Sequence, residues 1–342
     1  MQLLAKKGPL LKPCHFFRSA VLILFGLGFA QCIAAAEPPV AESKALPAAP
    51  AGWKLVWNDE FDGPEIDKAK WDFDRGNGFQ TADSKQYVAG WGNDELEFYT
   101  NRPENVFIKD GMLHLRAVKE SYKGFQYTSA RMNSRKKDGG PLFNHRYGRF
   151  EFRAKLPTGQ GIWPALWMRP QTEKYGGWAA SGEIDILEAK GQNPTTVQGT
   201  LHFGSHWPAN QWIMKEYVLP EHGTIADFHV YAVEWEPGEI RWYVDDKLYQ
   251  TQNFWWSCSD QEGGRGLPPS DESELNPWPA PFDQPFFLTM NLAVGGRFLG
   301  NPDATTKFPA EMVVDYVRVY DKADGYGAAK PRGPGKFPFS KP

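Results

Sequence analysis

Three acids stand close together in GEIDILEAKG, Gly182 to Gly191: Glu183, Asp185 and Glu188. Two carboxyl groups on either side of an anomeric carbon can cleave a glycosidic bond. One attacks or activates water, and the other protonates the leaving oxygen. On a β-strand Glu183 and Asp185 share a face, because side chains alternate with period two. Glu188 falls on the opposite face, among Ile184 and Ile186. A β-bulge resolves the conflict: one extra residue, Leu187 or a neighbour, shifts everything after it by one face. All three acids then point the same way. Four effective steps of about 3.3 Å put the outer Cα atoms about 13 Å apart. Two Glu side chains leaning together can then reach the separation of about 5–5.5 Å that belongs to retention. Three carboxylates this close cannot all ionise cheaply. A proton shared between Asp185 and Glu183 would tune the attacking group while Glu188 stays protonated as the acid. The competing reading is an acidic strand facing solvent, which gives Glu188 no reason to break the period.

The elements that must carry these acids are strands. Arg149 to Lys155 alternates charged and apolar residues, and Met112–Val118, Phe228–Trp235 and Ile240–Val244 behave similarly. Turn residues recur between such runs, giving about fourteen candidate strands and no amphipathic helix. The 34 glycines and 28 prolines also argue against long helices. The expected fold is all-β: two antiparallel sheets packed face to face as a β-sandwich of jelly-roll topology with an open concave cleft. Aromatic residues are dense at 15% of the chain, with 14 tryptophans, and many must belong to the core. Trp91, Trp163 and Trp178 lie in polar, Gly-rich contexts. Flat apolar faces with polar rims suit pyranose rings, and they suit a protein-interaction surface equally.

At the ends, the composition changes. Residues 1–36 read as a signal peptide: Lys6, Lys7, Lys12 and Arg18 precede the apolar run Ala20–Ala30, and Ala34-Ala35-Ala36 offers a cleavage site. The protein is therefore expected to be secreted or periplasmic, with no membrane attachment after cleavage. Lipid anchoring at Cys32 is not expected, because Gln31 is a poor residue before such a cysteine. Removing four positive charges takes the formal net charge from −3 to about −7, which suits no nucleic-acid partner. Cys14 and Cys32 are expected to leave with the leader, so no internal disulfide is expected at Cys258. Residues 37–51 read as an Ala/Pro-rich linker, 52–321 as one catalytic domain, and 322–342 as a disordered Gly/Pro/Lys-rich tail.

GEIDILE, with YGRFEFRAKLPTGQGIWPALWM before it and GTLHFG after it, resembles the family 16 glycoside hydrolases in their bulged E-x-D-x-x-E form. The likeness runs from WNDEFDG through GWGNDELEFYT and YTSARM to MNLAVGG and VDYVRVY, and is similar to bacterial laminarinases. It implies an endo-acting, retaining β-1,3-glucanase, monomeric, acting on a polysaccharide without a cofactor. By position, Glu183 resembles the nucleophile, Glu188 the acid/base and Asp185 the modulating acid. Trp163, Trp167, Trp178, His202, Asn93, Glu97 and Arg131 match positions that line the family's cleft. In VVDYVRVY, Asp315 shares a regular strand face with Val313, Val317 and Val319, which requires an ion pair or a metal. The family often carries a structural calcium on the convex side, and the matching positions are Glu60, Gly111 and Asp315.

Residues 255–285 depart from the pattern as a long polar, Pro-rich stretch. It is expected to wall one end of the cleft or to meet sugars through Trp255, Trp256 or Trp278. Phe79–Val88 reads as an insertion, and YGGWAAS lacks the Pro that usually follows this Trp. These departures bear on substrate, so mixed-linkage β-1,3-1,4-glucan and the galactans agarose, porphyran and carrageenan stand as alternatives. A non-catalytic β-glucan recognition protein is a third reading, opposed by the presence of both Glu183 and Glu188.

Overall fold

The computed structural model describes residues 46, 48–81, 85–259 and 268–339. The leader and cleavage site expected from the sequence, with most of the expected linker, lie outside them. Among the described residues the chain forms nineteen strands and two short 3-10 turns. Period-two patterning explains the layers. In Gly148–Lys155, Phe150, Phe152 and Ala154 enter the core, while Arg149, Glu151 and Arg153 carry ion pairs on the other face. The strands form a ten-stranded and a seven-stranded sheet, with a separate two-stranded hairpin. Pairing is antiparallel except between Glu97–Tyr99 and Phe125–Ser129. The architecture is a jelly-roll β-sandwich, as expected.

Apolar side chains from both sheets meet in one core that includes Phe150, Ile184, Trp235, Trp242, Leu288 and Val317. Burying each such side chain contributes about 1.5–3 kcal/mol. Cys258 is buried, and its thiol donates to the Ser259 carbonyl at 3.6 Å.

The seven-stranded sheet positions the site. Its order is Asn210–Val218, Thr196–Gly204, Glu183–Ala189, Ile162–Pro170, Phe286–Val294, Arg131–Asn133 and Asp72–Phe73. The acidic strand is therefore an inner strand, held on both sides. Its backbone is also supported from the core, where Trp242 Nε1 donates to the Asp185 carbonyl at 2.8 Å. Gly199 on the neighbouring strand makes room for that indole, because a Cβ there would lie 2.4 Å from its ring. Gly182, with φ +86°, turns the chain into the acidic strand against Phe282.

Two expectations are corrected here. Residues 322–339 are not a disordered tail. Tyr326 packs on Tyr147, Trp278 Nε1 donates to the Lys330 carbonyl at 2.7 Å, and Phe337 meets Phe254. Trp255 and Trp256 do not face sugars; both are fully buried in the core, where Trp255 stacks on Trp278 at 4.7 Å. In the Phe79–Val88 stretch, which reads as an insertion, Gly78–Gln80 pairs with Tyr87–Ala89. Residues 260–267 of the long polar stretch lie outside the described residues.

Candidate active site

The bulge expected in the acidic strand is present. Against the strand Thr196–Gly204, Asp185 faces Thr200 and Glu188 faces Gln198, so three steps on one strand match two on the other. Against Ile162–Pro170, Leu187 pairs with Leu166 and Asp185 with Trp167, and Ile186 is passed over. Ile186 is thus the extra residue. It enters the core beside Leu187, so two consecutive apolar residues point inward. Glu188 is released to the outer face with Glu183 and Asp185.

Glu188 is held from two strands. Trp163 Nε1 donates to its Oε1 at 3.2 Å, while Gln198 Nε2 and Thr200 Oγ1 donate to its Oε2 at 3.2 and 3.4 Å. At the other end, His202 lies opposite Glu183 in register. Its Nε2 is 3.8 Å from Glu183 Oε1 and 3.3 Å from Asp185 Oδ2. Trp178 packs on the His202 ring with centroids 5.3 Å apart.

Burial raises all three carboxyl groups. For Glu183 the Asp185 charge adds to burial, against the opposing influence of His202 and Arg169. Asp185 is raised by burial. One proton held by this pair leaves a single negative charge on it, because two adjacent anions in a buried site repel. Burial, and then the Asp185 charge, push Glu188 up to about 7. A carboxyl group still protonated near neutrality can give a proton to a leaving oxygen.

A family model described as "Glycosyl hydrolases family 16" matches residues 93–255. The "Glucan endo-1,3-beta-glucosidase A1" of Niallia circulans is 45% identical over 281 residues, covering 79% of this chain and 38% of that protein. The "Beta-glucanase" of Rhodothermus marinus is 44% identical, covering 78% of this chain and 85% of that one. This chain belongs to glycosyl hydrolase family 16. It is a glycoside hydrolase. The laminarinase catalytic domain of Thermotoga maritima superposes with a TM-score of 0.63 at 41% identity, covering 78% of this chain and 98% of that one.

Within this family 16 fold, the other expected residues divide. Trp163 and Trp167 are half-buried on the sheet face that bears the acids, because Ile162, Leu166 and Met168 take the core side. Trp167 Nε1 donates to Asn291 Oδ1 at 2.7 Å. Asn93 is exposed and donates to Glu95 at 3.0 Å. Arg131 lies between the rings of Trp91, Tyr99 and Trp167, 4.3, 4.7 and 5.7 Å from its guanidinium carbon. Its Nη2 reaches Glu95 at 3.4 Å. Glu97 is a correction: it is fully buried and accepts from the Val294 amide at 2.7 Å, so it supports the sheet and does not face a cleft. Its three-residue strand is too short for alternation to reveal that inward face.

Sequence reasoning missed Gln198, Thr200, Glu95, Tyr99, Asn291 and the exposed Trp212. Gln198, Thr200 and His202 are two apart on one strand, and that alternation was the available signal for the first two. Trp212 pairs in register with His202 and so shares its face.

Two of the three expected calcium residues, Glu60 and Asp315, are engaged by arginines. Both Glu60 oxygens accept from Arg318, at 2.8 and 2.6 Å, and Arg153 donates to Asp315 Oδ2 at 2.6 Å. Gly111 forms the turn between Val106–Lys109 and Met112–Tyr122, at φ 67°. A cation gains little beside carboxylates already facing guanidinium groups, so these side chains do not fit the calcium expectation. The face assignment behind that expectation is also corrected. Pairing shifts between Arg153 and Ala154, which passes over Asp315. Asp315 therefore leaves the face of Val317 and Val319, which enter the core.

Proposed function

We propose that this protein is an endo-acting hydrolase of β-1,3-glucan, exported, that works by a retaining double displacement. The observation that carries the reading is the bulge at Ile186, which turns Glu183, Asp185 and Glu188 onto one face. Glu183 attacks the anomeric carbon as a carboxylate while Glu188 protonates the departing glycosidic oxygen. Asp185 keeps the shared proton as Glu183 takes up the covalent bond. Glu188, now ionised, draws a proton from water, which attacks the anomeric carbon and frees Glu183. Trp163, Trp167 and Trp178 supply flat faces for sugar rings. The β-1,3-glucan substrate is supported by the relatives' printed activities, together with the match in this chain's site strands. Mixed-linkage β-1,3-1,4-glucan is included as a second substrate. Export rests on the leader-like residues 1–36.

The test is reducing-sugar release from laminarin by the mature protein beside Glu183→Gln and Glu188→Gln, with lichenan, agarose and carrageenan in parallel. Laminarin should be cut, and each substitution should lower the rate by at least about 10²–10⁴-fold. Cleavage of a galactan alone would replace the substrate. Binding of laminarin without cleavage would replace the enzyme with a recognition protein.

A further inference from the structure

We infer that Glu183, Asp185 and His202 form a ready-made site for a borderline divalent transition metal, which occupies the cleft reversibly and blocks it. One ligand atom from each of the three residues lies within 4.8 Å of the others, the one such group among the described residues. The geometry suits zinc. Bonds of about 2.0–2.2 Å at a tetrahedral angle place neighbouring ligand atoms about 3.3–3.6 Å apart. His202 Nε2 lies 3.3 Å from Asp185 Oδ2 and 3.8 Å from Glu183 Oε1, close to those edges without movement. The remaining edge, between the two carboxylates, also lies within 4.8 Å.

A second observation points at the same place. Asp185 is 4% exposed, yet its Oδ2 accepts no hydrogen bond. A buried acceptor left open is costly unless something fills it, and a metal ion would. Glu188 takes no part, because Trp163, Gln198 and Thr200 already hold it. The donor set of one imidazole and two carboxylates selects zinc or copper over calcium and magnesium, which prefer oxygen alone. Three protein ligands leave the fourth position to water. His202 Nδ1 is buried with no partner, so the imidazole lacks the outer hydrogen bond that strengthens resident metal sites. Binding of this kind is reversible, as a regulatory ion requires.

The test reads binding directly, independently of any polysaccharide. Zinc is titrated by calorimetry into the wild-type protein and into Glu183→Gln, Asp185→Asn, His202→Gln and, as a control on an exposed histidine, His222→Ala. One zinc per chain is expected, weakened at least about tenfold by each of the first three substitutions and unchanged by the control. Cobalt in the wild-type protein reports geometry without any variant, and intense visible bands of a four-coordinate ion are expected. Equal binding by all variants, loss only in His222→Ala, or a pale octahedral cobalt spectrum overturns the site. Where laminarin hydrolysis is observed, zinc should suppress it and EDTA restore it. Stoichiometric binding without suppression would overturn the blocking role, and it leaves the glucanase reading to its own test.

Discussion

Single residues set how the acids divide their work. Glu188 keeps a proton up to about 7 because burial outweighs the hydrogen bonds from Gln198 and Trp163, which favour its carboxylate. A general acid must be protonated, so activity should fall as pH rises through that value. Replacing Gln198 by Ala removes a donor to the anion and raises the Glu188 pKa. The alkaline limb of the kcat/KM profile should therefore move to higher pH, and a limb that stays or moves down would contradict the assignment. Glu95 and Glu97, two apart, are both buried; Glu97 accepts from the Val294 amide, while Glu95 meets Arg131, Tyr99 and Asn93.

At the scale of elements, the bulge does what alternation cannot. Deleting Ile186 would convert E-x-D-x-x-E into E-x-D-x-E, which keeps all three acids on one face of a regular strand. It also removes a buried side chain, at a cost of about 2–5 kcal/mol. Deleting Ile184 would instead turn Asp185 into the core. Thermal melts and laminarin assays on both deletions should find a weakened but active Ile186 deletion and an inactive Ile184 deletion. A folded, inactive Ile186 deletion would show that the bulge does more than align the acids. This bulge was legible because Glu188 is out of phase with a carboxylate that chemistry can use. The bulge at Asp315 was not, since Asp-Tyr-Val-Arg-Val reads as regular alternation and only pairing with Gly148–Lys155 reveals the slip. Trp255 and Trp256 were hidden by their polar, Pro-rich surroundings. Nothing local says that Trp255 Nε1 finds the Pro279 carbonyl at 2.9 Å and can be buried.

Across the whole molecule, composition misled at one end. Gly, Pro and Lys in residues 322–339 suggested disorder, but Tyr326 and Phe337 anchor the segment on Tyr147 and Phe254. Ending the chain at Lys322 would take the Lys330 acceptor from Trp278 and should cost about 1–3 kcal/mol. At about 2–4 °C per kcal/mol for a domain of this size, calorimetry should show a clear fall in Tm. An unchanged Tm would mean that the segment only rests on the surface. In the proposed mechanism the bulge brings Glu183 and Glu188 to opposite sides of one glycosidic bond, at the separation for double displacement. Proton NMR of laminarin digestion, read before the product anomers equilibrate, tests it most directly. The β-anomer should appear first; initial release of the α-anomer would mean inversion and would contradict Glu183 as nucleophile.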